Sequence, residues 1–348
     1  MPAPTHLLIP YSFRRKGILL GALLGILLTA CQPRHEQAAE AATPPVGHYE
    51  GSLNAAGQPE VRATLDIRHP SPGHYEAEFT APGTLSFVAD TIVFSNNQLR
   101  LIRPARPGQT LALTLEGDFW RGALTLDSTR ATTILVKRGV PTPSTYRAEE
   151  VPQATGSAWL FTPADTGTPG AALALLPDAE TAPTAAIWAD ALAREGLIVL
   201  LLPPTDSATA AAETPRLLAA VRLLRGTAGA DTANVGVWAT GARAAAVAQL
   251  LTTAEAPRVA FLMAHNMAVG PASNAVLREL RRRKLAVLGL YGGTTASQRA
   301  TALRNALGGR RGGTVLTFRT AGPDLLRPDG GAFGPGLPGA VVEWLQGK

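Results

Sequence analysis

The chain has 348 residues, 46% hydrophobic and 17% charged, with a formal net charge of +6, and is long enough for two domains. Its single cysteine, Cys31, excludes an internal disulfide, a cysteine-built metal site and a thiol nucleophile anywhere else. The charge argues against a nucleic-acid partner: Arg14, Arg15 and Lys16 lie in an N-terminal leader, leaving +3 (6 − 3), and the cluster Arg278, Arg281, Arg282, Arg283 and Lys284 ends a predicted helix without aromatic residues for base stacking.

Residues 1–30 read as a signal peptide. The three basic residues form its n-region, and Gly17 to Leu28 is a twelve-residue apolar run, short for a membrane span but suited to a leader core. Leu28-Thr29-Ala30-Cys31 follows. This stretch resembles the bacterial lipobox. The resemblance implies that Cys31 carries palmitate-type acyl chains, becomes the mature N-terminus and holds the protein on a membrane of the cell envelope. Gln32, standing where an aspartate would retain the protein at the inner membrane, favours the outer membrane. Residues 31–45 are polar and rich in Ala and Pro, the composition of a flexible tether behind the lipidated cysteine.

From 46 to 140 the apolar period is two. VRATLDIRH, HYEAEFTA, TIVFS, QLRLIRP, TLALTLEG, RGALTLDS and TTILVKR are predicted strands, separated by turn signals such as Asn96-Asn97 and Pro107-Gly108. The pattern predicts a small antiparallel all-β domain, a sandwich or barrel, with Leu65, Ile67, Tyr75, Phe79, Phe87, Leu99, Trp120, Leu124, Ile134 and Val136 among its inward residues. His48, His69 and His74 fall here without metal-ligand spacing and are expected as surface or hydrogen-bonded histidines. Neither a metal nor a cofactor is expected.

Residues 141–156 read as a linker. From 157 to 348 strands and helices alternate: SAWLFTP, AALALLP, a helix over 184–196, the apolar run LIVLLLPP, a helix over 213–225, then NVGVWA and its helix, RVAFLMA and a helix over 273–284, LAVLGLYGG and a helix over 297–308, TVLTFR and a last helix over 339–347. The alternation predicts an α/β domain, a mainly parallel sheet with helices on both faces.

This second half resembles the α/β-hydrolase fold, and the β domain before it is similar to one preceding such hydrolases in some bacterial secreted proteins. NVGVWATGARAAAVAQLL lies where that family carries its nucleophile elbow, typically G-x-S-x-G. LAVLGLYGGTT lies at the strand leading to the catalytic acid, and TFRTAGPDLLRP at the loop holding the histidine. The family's triad positions fall on Gly241, Thr295 and Asp324. Glycine has no nucleophile, threonine no carboxylate, and an aspartate is a poor proton acceptor and donor near neutral pH. At the expected oxyanion loop, Pro177 has no N–H, and Asp178 and Glu180 add negative charge.

The sequence therefore predicts a lipid-anchored protein with a degenerate hydrolase domain and a binding or scaffold role, with a protein or small-molecule ligand as partner. One alternative is an active serine- or threonine-type esterase or peptidase-like enzyme. It would use Thr240, or a serine such as Ser207 or Ser273, with His265, the one histidine after Ser157. Another is a purely structural envelope protein. No phosphate-binding loop or dinucleotide fingerprint is present.

Overall fold

Strict alternation of apolar and polar residues folds the first part of the body as strands, and continuous apolar runs fold the second part as strands covered on both faces. A computed structural model describes residues 43–81, 91–102, 108–141, 143–153, 156–205, 208–309, 313–328 and 336–347. The stretch expected as a signal peptide, Cys31, Phe87 and Ser207 lie outside these residues. Thr43–Lys348 forms one compact unit.

Eight strands make the first sheet: β1 (Gly47–Ala55), β2 (Val61–Ser71), β3 (His74–Thr80), β4 (Thr91–Ser95), β5 (Gln98–Ile102), β6 (Gln109–Glu116), β7 (Phe119–Leu126) and β8 (Thr129–Gly139). Their order is β3-β2-β1-β8-β7-β6-β5-β4, antiparallel throughout; β1 and β8 pair at its middle, and the end strands β3 and β4 lie in contact in a barrel-like sheet. Close curvature shows at Gly51. A Cβ there would meet the Ile134 carbonyl at 1.8 Å, so only glycine fits. The inner face is filled by Tyr49, Leu53, Leu65, Phe79, Leu99, Leu111, Trp120 and Leu135 among others.

Two sequence expectations change here. On β8 the inward residues are Ala131, Thr133 and Leu135, so Ile134 and Val136, expected in the core, face outward. The reason is register: Leu135 stands opposite the buried Trp120, and a one-residue shift moves every side chain to the other face. Tyr75 stacks on His69 outside the core, ring centroids 4.2 Å apart.

The second sheet holds β9 (Tyr146–Gln153), β10 (Gly156–Pro163), β11 (Gly170–Leu176), β12 (Ile198–Leu201), β13 (Ala230–Thr240), β14 (Phe261–His265), β15 (Ala286–Gly292) and β16 (Thr314–Phe318). The stretch 141–156, expected as a linker, thus carries an edge strand. Its alternating pattern is weakened by Glu149, Glu150 and Pro152, as suits an edge. The order is β16-β15-β14-β13-β11-β12-β10-β9. The sheet is mixed: β9–β10 and β10–β12 pair antiparallel, while β12–β11, β11–β13, β13–β14, β14–β15 and β15–β16 pair parallel.

Helices α1 (Ala185–Arg194) and α6 (Gly339–Gly347) pack into the cluster on one face of this sheet. Helices α2 (Ala210–Gly226), α3 (Gly241–Leu250), α4 (Pro271–Arg282) and α5 (Ala296–Ala306) pack into the cluster on the other. Each buried leucine or valine in these clusters contributes about 1.5–3 kcal/mol of transfer free energy. Among the described residues no helix is long and apolar enough to cross a membrane.

Polar contacts tie the two sheets together. Buried Glu76 of β3 accepts from the Ser144 hydroxyl at 3.2 Å and lies 3.5 Å from the Arg194 guanidinium of α1. Gln109 of β6 donates to the Pro328 carbonyl at 2.6 Å, fixing the segment after β16 against the barrel.

Candidate functional site

The chain leaves β11 toward α1 on one face, and leaves β13 into α3 on the other. Strand order reverses between them, and the crevice beyond the carboxyl ends of such strands is where open α/β sheets bind ligands. Pro177 and Asp178 follow β11, and Thr240 and Gly241 end β13 and start α3, so the expected elbow lies at this switch point.

The turn itself is sharp. Thr240 is extended, at φ −114° and ψ 150°, and Gly241 has φ +50° as the first residue of α3. That left-handed φ is what a strand-to-helix elbow demands and what glycine adopts without steric cost. The place a side chain would take at Gly241 is filled. A Cβ there would lie 1.9 Å from Oδ2 of Asp178.

Asp178 is held by a closed ring of hydrogen bonds. Its Oδ1 accepts from the Thr181 N–H at 2.9 Å and the Thr181 hydroxyl at 2.7 Å. Its own N–H donates to Oγ1 of Thr240 at 2.7 Å. The two threonine hydroxyls are 2.7 Å apart. Thr181 has spent its one proton on Asp178, so Thr240 donates to Thr181. The Thr240 hydroxyl is thereby committed as donor and acceptor, in a residue only 2% exposed.

Beneath the turn lies a buried ion pair. Arg243, in the first turn of α3, donates from Nε to Glu213 Oε1 at 2.6 Å and from Nη2 to Oε2 at 3.0 Å. Its Nη1 donates to the carbonyls of Pro177 at 2.9 Å and Pro203 at 3.0 Å. Both charged side chains are fully buried. One guanidinium thus joins α3, the start of α2, and the carboxyl ends of β11 and β12. A bidentate carboxylate and two carbonyls satisfy the charge that burial would otherwise penalise.

His265 ends β14 and stands in register with Thr240. The two side chains bond elsewhere. Nε2 of His265 is 2.8 Å from the Pro323 carbonyl, which can only accept, so Nε2 carries the proton. Nδ1 is then a bare lone pair, buried without a hydrogen-bond partner. The ring lies edge-on to Trp238 and Trp188, centroids 6.0 and 6.5 Å away. Burial pushes the imidazole pKa below its ordinary value, against the bond to Pro323 and the charges of Asp178 and Asp324.

The segment 321–326 occupies the place expected for the catalytic histidine. It is turned at Leu325, buried with φ +64°. Asp324 uses Oδ1 to accept from the Leu326 N–H at 3.2 Å, and its carbonyl accepts from Trp188 Nε1 at 3.0 Å. The Asn266 amide also donates to the Pro323 carbonyl. Thr295 is exposed and N-caps α5 without a side-chain bond. Ser273 lies in the first turn of α4, away from this turn in the sequence of elements.

Sequence reasoning named Gly241, Thr240, Asp178 and His265 but missed Glu213 and Thr181. One signal pointed to Glu213: Arg243 interrupts the small apolar residues of GARAAAVAQL, and a buried arginine needs an acid. The barrel histidines do not converge. His48 bonds Asp66 and Glu50, His69 stacks on Tyr75, and His74 lies among the rings of Tyr146, Trp159 and Phe161.

No family model matches the chain. No curated protein matches it. Among solved structures, the esterase domain of a Rhodothermus marinus protein aligns at 17% identity and a TM-score of 0.40, covering 53% of this chain and 92% of that one. A hypothetical protein from Pseudomonas aeruginosa aligns at 10% identity and a TM-score of 0.42, covering 60% of this chain and 95% of that one. No residue role is carried across from these proteins.

Proposed function

We propose that this chain is a lipoprotein of the bacterial cell envelope, anchored through Cys31 at the outer membrane, whose hydrolase-type domain binds or scaffolds rather than hydrolyses. The observation that carries the reading is the filled apex of the elbow. Gly241 offers no nucleophile, and Asp178 holds the space a nucleophilic side chain would need. The neighbouring Thr240 hydroxyl is buried and committed to two partners. His265, in register with it, donates from Nε2 to the Pro323 carbonyl and makes no bond to Thr240. An anionic carboxylate at this apex also opposes an oxyanion, which acyl transfer must stabilise.

Loss of catalysis does not remove the fold's capacity to bind, because function resides in the site and not in the architecture. The buried pair of Arg243 and Glu213, with the bonds from Arg243 to the Pro177 and Pro203 carbonyls, ties α2, α3, β11 and β12 together at the switch point.

The test is labelling of the full chain with a fluorophosphonate probe, beside a p-nitrophenyl acetate assay, on wild type and Thr240→Ala. No labelling and no turnover above a heat-treated control is expected in either. Labelling that disappears in Thr240→Ala would overturn the reading and make Thr240 a nucleophile. Mass spectrometry of the membrane-purified chain tests the anchor independently, by the acyl mass on the Cys31 peptide.

A further inference from the structure

Among the described residues six large apolar side chains stand exposed: Val46, Val93, Ile134, Val136, Val140 and Leu218. Four of these belong to one place. Val46 immediately precedes β1, Ile134 and Val136 are the outward residues of β8, and Val140 follows it. Scattered exposed aliphatics need no explanation, but a cluster marks a surface that meets something apolar.

Strand pairing sets Ile134 and Val136 on one face with the outward residues of β1 that follow Val46, and a register shift between His48 and Tyr49 leaves Val140 at the end of that face, off its alternation. Ser52 of β1 stands opposite Ile134, Glu50 opposite Val136, and His48 opposite Gly139. Val46 and Val140 therefore lie at the same end of the β1–β8 ladder. On the far side Phe119 pairs with Val136, and Arg121 with Ile134. Val140 is 87% exposed, more than any other of the six.

The charges around the face suit an anionic surface. Glu50 is paired with Arg62 at 2.8 Å, and Glu116 with Arg121 at 3.3 Å. Lys137 and Arg138 stand exposed between Val136 and Val140, near Asp118, whose carbonyl accepts from the Lys137 N–H.

The position of the face along the chain names its occupant. Val46 is fifteen residues from Cys31 (46 − 31), a stretch that spans at most about 50 Å when fully extended. A lipid on Cys31 therefore keeps this end of the barrel within about 50 Å of the bilayer. Confinement raises the effective concentration of the face at the membrane, so a weak shallow contact suffices.

We infer that the barrel face formed by Val46, Ile134 and Val136, with Val140 at its end, docks on the lipid surface to which Cys31 ties the chain. The inference rests on the lipoprotein reading above. Docking gives the barrel a role of its own, because it turns one defined face to the membrane and thereby sets which side of the second sheet is free for a partner.

The experiment uses the full chain, produced with its leader, purified from membranes and reconstituted in vesicles of phosphatidylethanolamine and phosphatidylglycerol. Val136→Cys, Val140→Cys and, on β4, Val93→Cys each carry an environment-sensitive fluorophore. A lipidated Cys31 has no free thiol to compete. Spin-labelled lipid is expected to quench the probes at 136 and 140 about twofold or more, with a blue shift, and to leave the probe at 93 unchanged. Equal quenching at all three positions, or none, overturns the docking. A blue shift that follows protein density and ignores spin-labelled lipid also overturns it, in favour of a second copy of the chain. The mass of the Cys31 peptide separates the two readings. A lipidated Cys31 with unquenched probes at 136 and 140 sinks only the docking, whereas an unlipidated Cys31 sinks the anchor.

Discussion

Asp178 occupies the position that a side chain on Gly241 would require, its Oδ2 lying 1.9 Å from the ideal Cβ. The two residues come from different strand ends, so each explains the other. Glycine at the apex lets the carboxylate approach, and the carboxylate, held by Thr181, forbids anything larger than glycine. Gly241→Ala must therefore adopt φ +50° with a Cβ and also displace Asp178. We expect a loss on the order of 2 kcal/mol or more in urea unfolding. In Asp178→Ala/Gly241→Ala the clash is gone, so the double variant should be more stable than the sum of the singles by about 1 kcal/mol. Strict additivity would mean that the carboxylate does not fill the apex.

The pair of Arg243 and Glu213 gives a second prediction. Both groups are fully buried and bound to each other in a fork. Removing one partner leaves the other as an uncompensated buried charge. Arg243→Met and Glu213→Leu should each cost about 3–5 kcal/mol, while the double variant should return to within about 1 kcal/mol of wild type. Urea denaturation of the four proteins measures this. Single variants as stable as the wild type would show that water reaches the pair.

Much of this was legible in the sequence, and the limits have physical causes. The alternation after 157 placed seven strands and six helices, β10 to β16 and α1 to α6, because long apolar periods outweigh local propensity. β9 was lost because edge strands carry charge and proline in place of a clean pattern. Gly241, Thr295 and Asp324 stand at the triad positions only through the resemblance to the hydrolase family. What the sequence could not give was distance. Glu213 and Arg243 are thirty residues apart, and Asp178 and Thr240 sixty-two, so their contacts exist only after the sheet is ordered. On β8 both faces carry aliphatics, and period two cannot choose between them; register with Trp120 decides.

His265 gives a pH dependence with a defined sign. Burial depresses its folded pKa below the ordinary value of 6.5, so the unfolded chain takes up a proton there more readily than the folded one. Its contribution to stability is complete above that ordinary value and declines as pH falls from it toward the depressed folded value. The urea midpoint of the wild type should therefore drop between pH 7 and pH 5. In His265→Phe the midpoint should start lower, because the bond to Pro323 is lost, but its slope over this interval should be flatter. An unchanged slope would mean that the imidazole takes up its proton as readily in the folded chain as in the unfolded one.

The register of β8 can be tested through three adjacent residues. Leu135 is fully buried opposite Trp120, while Ile134 and Val136 are 43% and 37% exposed. Leu135→Ala should cost about 2–5 kcal/mol through lost burial and the cavity left behind. Ile134→Thr and Val136→Thr remove apolar surface from the wet side of the same strand, and should stay within about 0.5 kcal/mol of wild type. The contrast is sharp because the three positions share strand, neighbours and local propensity, so only the facing direction differs. If Ile134→Thr proves as costly as Leu135→Ala, the strand is turned the other way. The exposed face proposed to meet the membrane would then be part of the core, and the fluorophores at 136 and 140 would report on packing instead of lipid.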